Sequence, residues 1–140
     1  MPISFFTEQI PFKINHPRKT SKWIDLVVKK EKKTIGELSY IFCSDDFLLS
    51  LNQQFLNHNT LTDVITFDFS EGKTLIGEIY ISIERVTENA KKFHVTFQNE
   101  LDRVMIHGVL HLAGYKDKKP AEKEQMRRKE EACLSLRRYI

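Results

Sequence analysis

Residues 97–114 place the tightest constraint on how this 140-residue chain can fold. Thr96 can cap a helix there, with Glu100 in its first turn. Leu101, Val104, Met105, Ile106, Val109, Leu110 and Leu112 then follow before Gly114 ends it. The second half of this helix is apolar almost all round, so it has no face to give to water and belongs at the centre of a core. Other elements must surround it. A chain of this length makes one domain, here residues 1–140, and 41% hydrophobic with 29% charged residues is ordinary for a globular protein. Disordered and low-complexity scaffolds are excluded, and no apolar run approaches the ~20 residues of a membrane span. Residues 1–14 lack the basic start and apolar core of a secretory signal, so a cytoplasmic protein is expected. Cys43 and Cys133, each alone among apolar residues, read as buried free thiols of a reducing compartment.

The remaining elements are interspersed strands and helices. Residues 3–14, bounded by Pro2 and Pro11, read as an edge strand. Pro17 opens a helix whose stripe is Trp23, Ile24, Val27 and Val28. In a strand at 36–43, Leu38, Tyr40 and Phe42 alternate with Ser39, Ile41 and Cys43. Ser44 or Asp45 caps a helix carrying Phe47, Leu48, Leu51 and Phe55, and residues 57–60 form a turn. Strands at 63–70 and 75–84 flank Glu71-Gly72, which predicts a hairpin. A short amphipathic helix at 84–93 and a charged last helix from Pro120, apolar at Met126, Cys133, Leu136 and Ile140, complete the chain. The expected fold is α+β: a small mixed sheet with helices mainly on one face around a central buried helix.

Charge is unevenly distributed. Residues 1–35 hold eight Lys/Arg against three Asp/Glu, residues 36–102 four against eleven, and residues 103–140 ten against five. Basic ends around an acidic middle suit a nucleic-acid binder, and equally a set of solvated helix faces.

Chemistry concentrates in His107-Gly108-Val109-Leu110-His111-Leu112-Ala113-Gly114-Tyr115-Lys116-Asp117. Residues four apart on a helix project from one face, so the imidazoles of His107 and His111 can reach one ion. Gly114 can fold the chain back and bring Asp117 to the same point. Two imidazoles and a carboxylate, with a position left for water, form a familiar catalytic zinc arrangement that acidifies water and polarises a phosphoryl or carbonyl oxygen. A zinc protease with this spacing needs a glutamate base directly after the first histidine, where this chain has Gly108. A non-haem iron oxygenase spreads its ligands more widely. Metal-assisted phosphodiester hydrolysis fits best, and Lys116, Lys118 and Lys119 favour an anionic substrate.

These residues closely resemble the His-Gly-x-Leu-His-x-x-Gly-Tyr-Asp-His signature of the YbeY-type rRNA maturation factors. The resemblance extends to Leu51-Asn52-Gln53-Gln54-Phe55, Thr62-Asp63-Val64-Ile65-Thr66-Phe67 and Ile76-Gly77-Glu78-Ile79-Tyr80-Ile81-Ser82, in the family's order. It implies a single-strand-specific, metal-dependent endoribonuclease, a hydrolase that matures the 3′ end of 16S rRNA and serves ribosome quality control. Ribosomal RNA and the small ribosomal subunit are the implied partners. Zinc, one ion per chain, is the implied cofactor, and His107 and His111 carry over as its ligands.

Three positions depart from that pattern. The third histidine is Asp117, which makes a harder ligand set and leaves manganese or iron open. The aspartate before it is Lys116, and an arginine common in the family is Leu56, which by itself reads as core. Lys116 is therefore a candidate phosphate-binding residue standing in for that arginine. His58 and His94 read as surface residues, Asp63 as ordering a turn, and Trp23 as core. No general base is identifiable. The competing reading is a non-catalytic RNA-binding assembly factor with a structural metal; a metalloprotease is a distant third.

Overall fold

The structure, a computed structural model, describes residues 2–56 and 62–137. His58, the turn expected at 57–60, Ile140 and the side chain of Leu56 lie outside the described residues. Nine elements follow in order: β1 (Ile3–Glu8), α1 (Pro17–Lys30), β2 (Thr34–Cys43), α2 (Asp45–Leu56), β3 (Val64–Asp68), β4 (Thr74–Ser82), α3 (Ile83–Lys92), α4 (Phe97–Leu112) and α5 (Pro120–Leu134). The strands form one sheet in the order β1-β2-β4-β3. β1, β2 and β4 run parallel, and β3 pairs antiparallel with β4 through the expected hairpin, where Gly72 takes a φ of 57°. β3 is therefore an edge strand, and β1 is the other.

Alternation assigns the two faces. Leu38, Tyr40 and Phe42 of β2 with Ile79 and Ile81 of β4 join the main core, which α1, α3, α4 and α5 complete. The opposite face carries a smaller cluster in which Leu48 of α2 meets Cys43 and Ile65. Helices thus lie mainly on one face, as expected. α4 is the buried centre: Val104, Met105, Ile106, Val109 and Leu110 are all closed to solvent, and the Tyr40 hydroxyl donates to the Met105 carbonyl at 2.9 Å.

Two glycines let α4 lie close to the sheet. A Cβ at Gly108 would stand 2.8 Å from Cγ2 of Ile79, and one at Gly77 only 2.7 Å from the Phe67 carbonyl oxygen and 3.0 Å from Leu112. Local signals set the helix ends. Thr96 Oγ1 accepts from the Asn99 amide at 3.0 Å, Ser44 Oγ from Phe47 at 3.1 Å, and Ser82 Oγ from Arg85 at 3.1 Å. Gly114, at φ 109°, turns the chain out of α4, and the Tyr115 amide closes the end on the Leu110 carbonyl at 3.0 Å.

Two expectations change. The first strand stops at Glu8 rather than running to residue 14, because Gln9 turns into the left-handed region at φ 60°. Phe55 is not core: it is 57% exposed, with its ring edge-on to Phe67 at 5.7 Å. Trp23 is core, its indole N–H donating to the Cys133 carbonyl at 2.8 Å. Both cysteines are free and buried. Burial, with Asp45 and Glu8 nearby, pushes the Cys43 thiol up to about 12, and burial pushes Cys133 to about 11, so neither is a reactive thiolate. No helix among the described residues is long and apolar enough to cross a membrane.

Candidate metal centre

His107 and His111 stand one turn apart on the last half of α4, and the Gly114 turn brings Asp117 back over them. The three donor atoms form a nearly equilateral triangle. Nε2 of His107 and Nε2 of His111 are 3.1 Å apart, and Oδ2 of Asp117 lies 3.3 Å from each. A tetrahedral ion with bonds of 2.0–2.1 Å holds its ligands at edges of roughly 3.3 Å, so these side chains fit a metal as they stand. Among the described residues this is the group of His, Cys, Asp and Glu side chains that could hold one.

The orientation of His107 comes from α5. Its Nδ1 faces Oε2 of Glu130 at 2.5 Å, and Glu130 is only 5% exposed. An ionised carboxylate only accepts, so Nδ1 carries the proton and Nε2 presents its lone pair to the triangle. A carboxylate behind a metal-binding imidazole fixes both tautomer and ring orientation. Glu130 is itself held by Arg103, whose Nη1 donates to Oε1 at 3.1 Å. The same guanidinium donates to both oxygens of buried Glu100, at 3.0 and 2.8 Å, and stands 3.6 Å from Asp63. Burial weakens the charged form of Arg103, but Glu100 and Glu130 outweigh it and raise its pKa.

Glu130 and Arg103 are absent from the sequence reading, although a signal existed. In the last helix Met126, Glu130 and Cys133 share one stripe at helical spacing, so a carboxylate occupies a position where packing calls for an apolar side chain.

The triangle opens into a cleft of about 640 Å³ along β3, lined by Asn52, Asp63, Thr66, Asp68 and Lys118. Lys118, not Lys116, lines this cleft; Lys116 is exposed beside it. Asp63 orders the entry to β3, its carbonyl accepting from the Ser82 amide at 3.0 Å. His94 is exposed at a left-handed position after α3, as expected of a surface residue. The closeness of Ile79 explains why position 108 cannot hold a protease base: that side of the helix is pressed against the sheet.

A sequence model of the family "Endoribonuclease YbeY" matches residues 3–137. The chain belongs to the endoribonuclease YbeY family. It is 54% identical over 131 residues to a member from Flavobacterium psychrophilum, covering 94% of each chain. A member from Cytophaga hutchinsonii is 51% identical over 138 residues, covering 98% of this chain and 96% of that one. The solution structure of TM1509 from Thermotoga maritima superposes with a TM-score of 0.66 at 33% identity, over 96% of this chain and 87% of the other. Similarity to the family therefore covers the candidate metal centre, the cleft and the α5 helix that braces them.

Proposed function

We propose that this chain is a zinc-dependent endoribonuclease that cleaves single-stranded ribosomal RNA in the cytoplasm, at the 3′ end of the small-subunit rRNA. The observation that carries this reading is the triangle of His107, His111 and Asp117, with edges of 3.1, 3.3 and 3.3 Å at the mouth of an open cleft. A bound divalent ion supplies a Lewis acid for a phosphoryl oxygen and lowers the pKa of water.

The chain's own residues do the rest. Glu130 keeps the proton of His107 on Nδ1 and so keeps Nε2 available as a ligand. Asp117 brings a negative charge that the two imidazoles do not, which keeps part of the ion's charge matched before substrate arrives. Asn52 and Thr66 offer hydrogen-bonding side chains, and Lys118 a cation, along the cleft where a phosphate chain would run. Asp63 and Asp68 make the same cleft acidic, so an RNA phosphate is attracted chiefly when the ion is in place.

Elemental analysis of the purified protein beside His111→Ala and Asp117→Ala tests this reading, with cleavage of single-stranded and duplex RNA by the same samples. About one zinc per chain, lost in both variants together with single-strand cleavage, is the expected result. A protein that holds no metal after reconstitution and cleaves no RNA overturns the proposal in favour of an RNA-binding assembly factor, and one that cleaves RNA equally well without metal overturns the role given to the ion.

A further inference from the structure

We propose that the lysine-rich turn after α1 and the loop after α4 form one phosphate-binding track, which carries the RNA chain away from the metal centre. The inference rests on the nuclease reading above and adds a direction and a surface to it.

The two segments are far apart in sequence and tied together in space. The Tyr115 hydroxyl donates to Oε1 of Glu31 at 2.7 Å, and Lys129 of α5 donates to Oε2 at 2.8 Å. The Lys129 ammonium also stands 5.5 Å from the centroid of the Tyr115 ring. Glu31 is the C-terminal cap of α1, and Asp117 is two residues beyond Tyr115, at most about 7 Å along the chain. The Lys30–Lys33 turn therefore adjoins the loop that delivers the metal ligand.

Charge accounting favours a polyanion. Glu31 is matched by Lys129, and Asp25 by Lys29 at 2.8 Å. Lys30, Lys32 and Lys33 make no ion pair among the described residues, nor do Lys116, Lys118 and Lys119. Six ammonium groups without an ion pair, of which Lys33 still acts on the charge of Glu31, thus sit on either side of Tyr115, beginning with Lys118 in the cleft itself. The turn is also preformed: Lys32 holds φ 60°, its amide bonds the Lys29 carbonyl at 2.9 Å, and the Lys33 amide bonds that of Val28 at 3.2 Å. The cations are presented without ordering the backbone on binding. Lysine side chains read phosphate charge and not base identity, so the track binds RNA without regard to sequence.

The test compares the zinc-loaded wild type, a Lys30→Gln/Lys32→Asn/Lys33→Gln variant and a Lys91→Gln/Lys92→Gln control on the exposed end of α3. Binding is read with a 2′-O-methyl RNA of about 20 nucleotides, confirmed intact at the end of each titration, over a series of salt concentrations, and cleavage with an unmodified RNA of about six. At about 0.7 counterions released per phosphate contact, the triple variant loses about 2 from the slope of log affinity against log salt. Its cleavage of the short RNA and its melting temperature stay at wild-type values, and the α3 control keeps the wild-type slope. A triple variant with unchanged affinity and slope, while the wild type still cleaves, overturns the track alone. An equal loss in the α3 control also overturns it. A wild type that neither binds nor cleaves RNA removes the nuclease reading and the track together.

Discussion

His107 faces two carboxylates with different tasks. Asp117 meets Nε2, on the side where an ion would sit, and Glu130 meets Nδ1 from behind. Glu130→Gln keeps the volume but puts an amide in competition for the orientation of the ring. Loss of such a partner lowers metal affinity by about 10–100-fold. Zinc affinity, measured by chelator competition, should fall by that amount while the circular dichroism spectrum is unchanged; an unaltered affinity would show that the ring needs no brace. The candidate ligands were legible in the sequence because all three lie within eleven residues of one helix and its exit turn. Glu130 was not, because its partner is 23 residues away and only the docking of α5 on α4 makes them neighbours. Lys116 is exposed next to Asp117 and does not line the cleft, where Lys118 stands, so adjacency in the chain places it next to the site and not within it.

At the scale of elements, the contact between α4 and β4 decides where the ligands stand. Gly108→Ala gains about 1 kcal/mol of helix propensity. It also forces a methyl to within 2.8 Å of Ile79, a β-branched side chain with no room to move. Overpacking of this kind costs about 1–3 kcal/mol and shifts the backbone. The expected outcome is a lower melting temperature together with weaker zinc binding, since the helix that moves carries His107 and His111, two of the three proposed ligands. A variant as stable as wild type with full zinc affinity would refute the close-packing account. Most elements were readable, because caps such as Thr96 and stops such as Gly114 act locally. The places where periodicity misled are places where the environment overrode it. Phe55 continues the helical stripe of α2, but it meets the sheet only through the edge of Phe67 and the rest of its ring is left in solvent. The first strand ends early because Gln9 reverses its backbone, which no hydrophobic pattern could announce.

Across the whole molecule, Glu31, Tyr115 and Lys129 clasp α1, the ligand loop and α5 to one another. Burial opposes the charge on Glu31, but Lys129 and Tyr115 prevail and lower its pKa below the usual 4.5. Burial and Glu31 raise Tyr115 above 10.0, and Glu31 raises Lys129 above 10.5. A lowered acid stabilises above its unfolded value and ceases to do so as pH falls through the folded one. Raised groups stabilise below their unfolded values and cease to do so as pH rises through the folded ones. The difference in melting temperature between wild type and Glu31→Gln should therefore be largest and flat between about pH 5 and 9, and shrink on both sides. A difference independent of pH would mean that the clasp acts by packing alone. The two glycines at the α4 crossing have a consequence of another kind, for anyone reading a map of tolerated substitutions. Scored by activity, Gly108 and Gly77 will be as intolerant as His107 and His111, although they contribute no chemical group. Importance in such a map will mark two populations, atoms that touch the ion and voids that let the helix come near enough to present them, and only a metal-content readout in a folded variant separates one from the other.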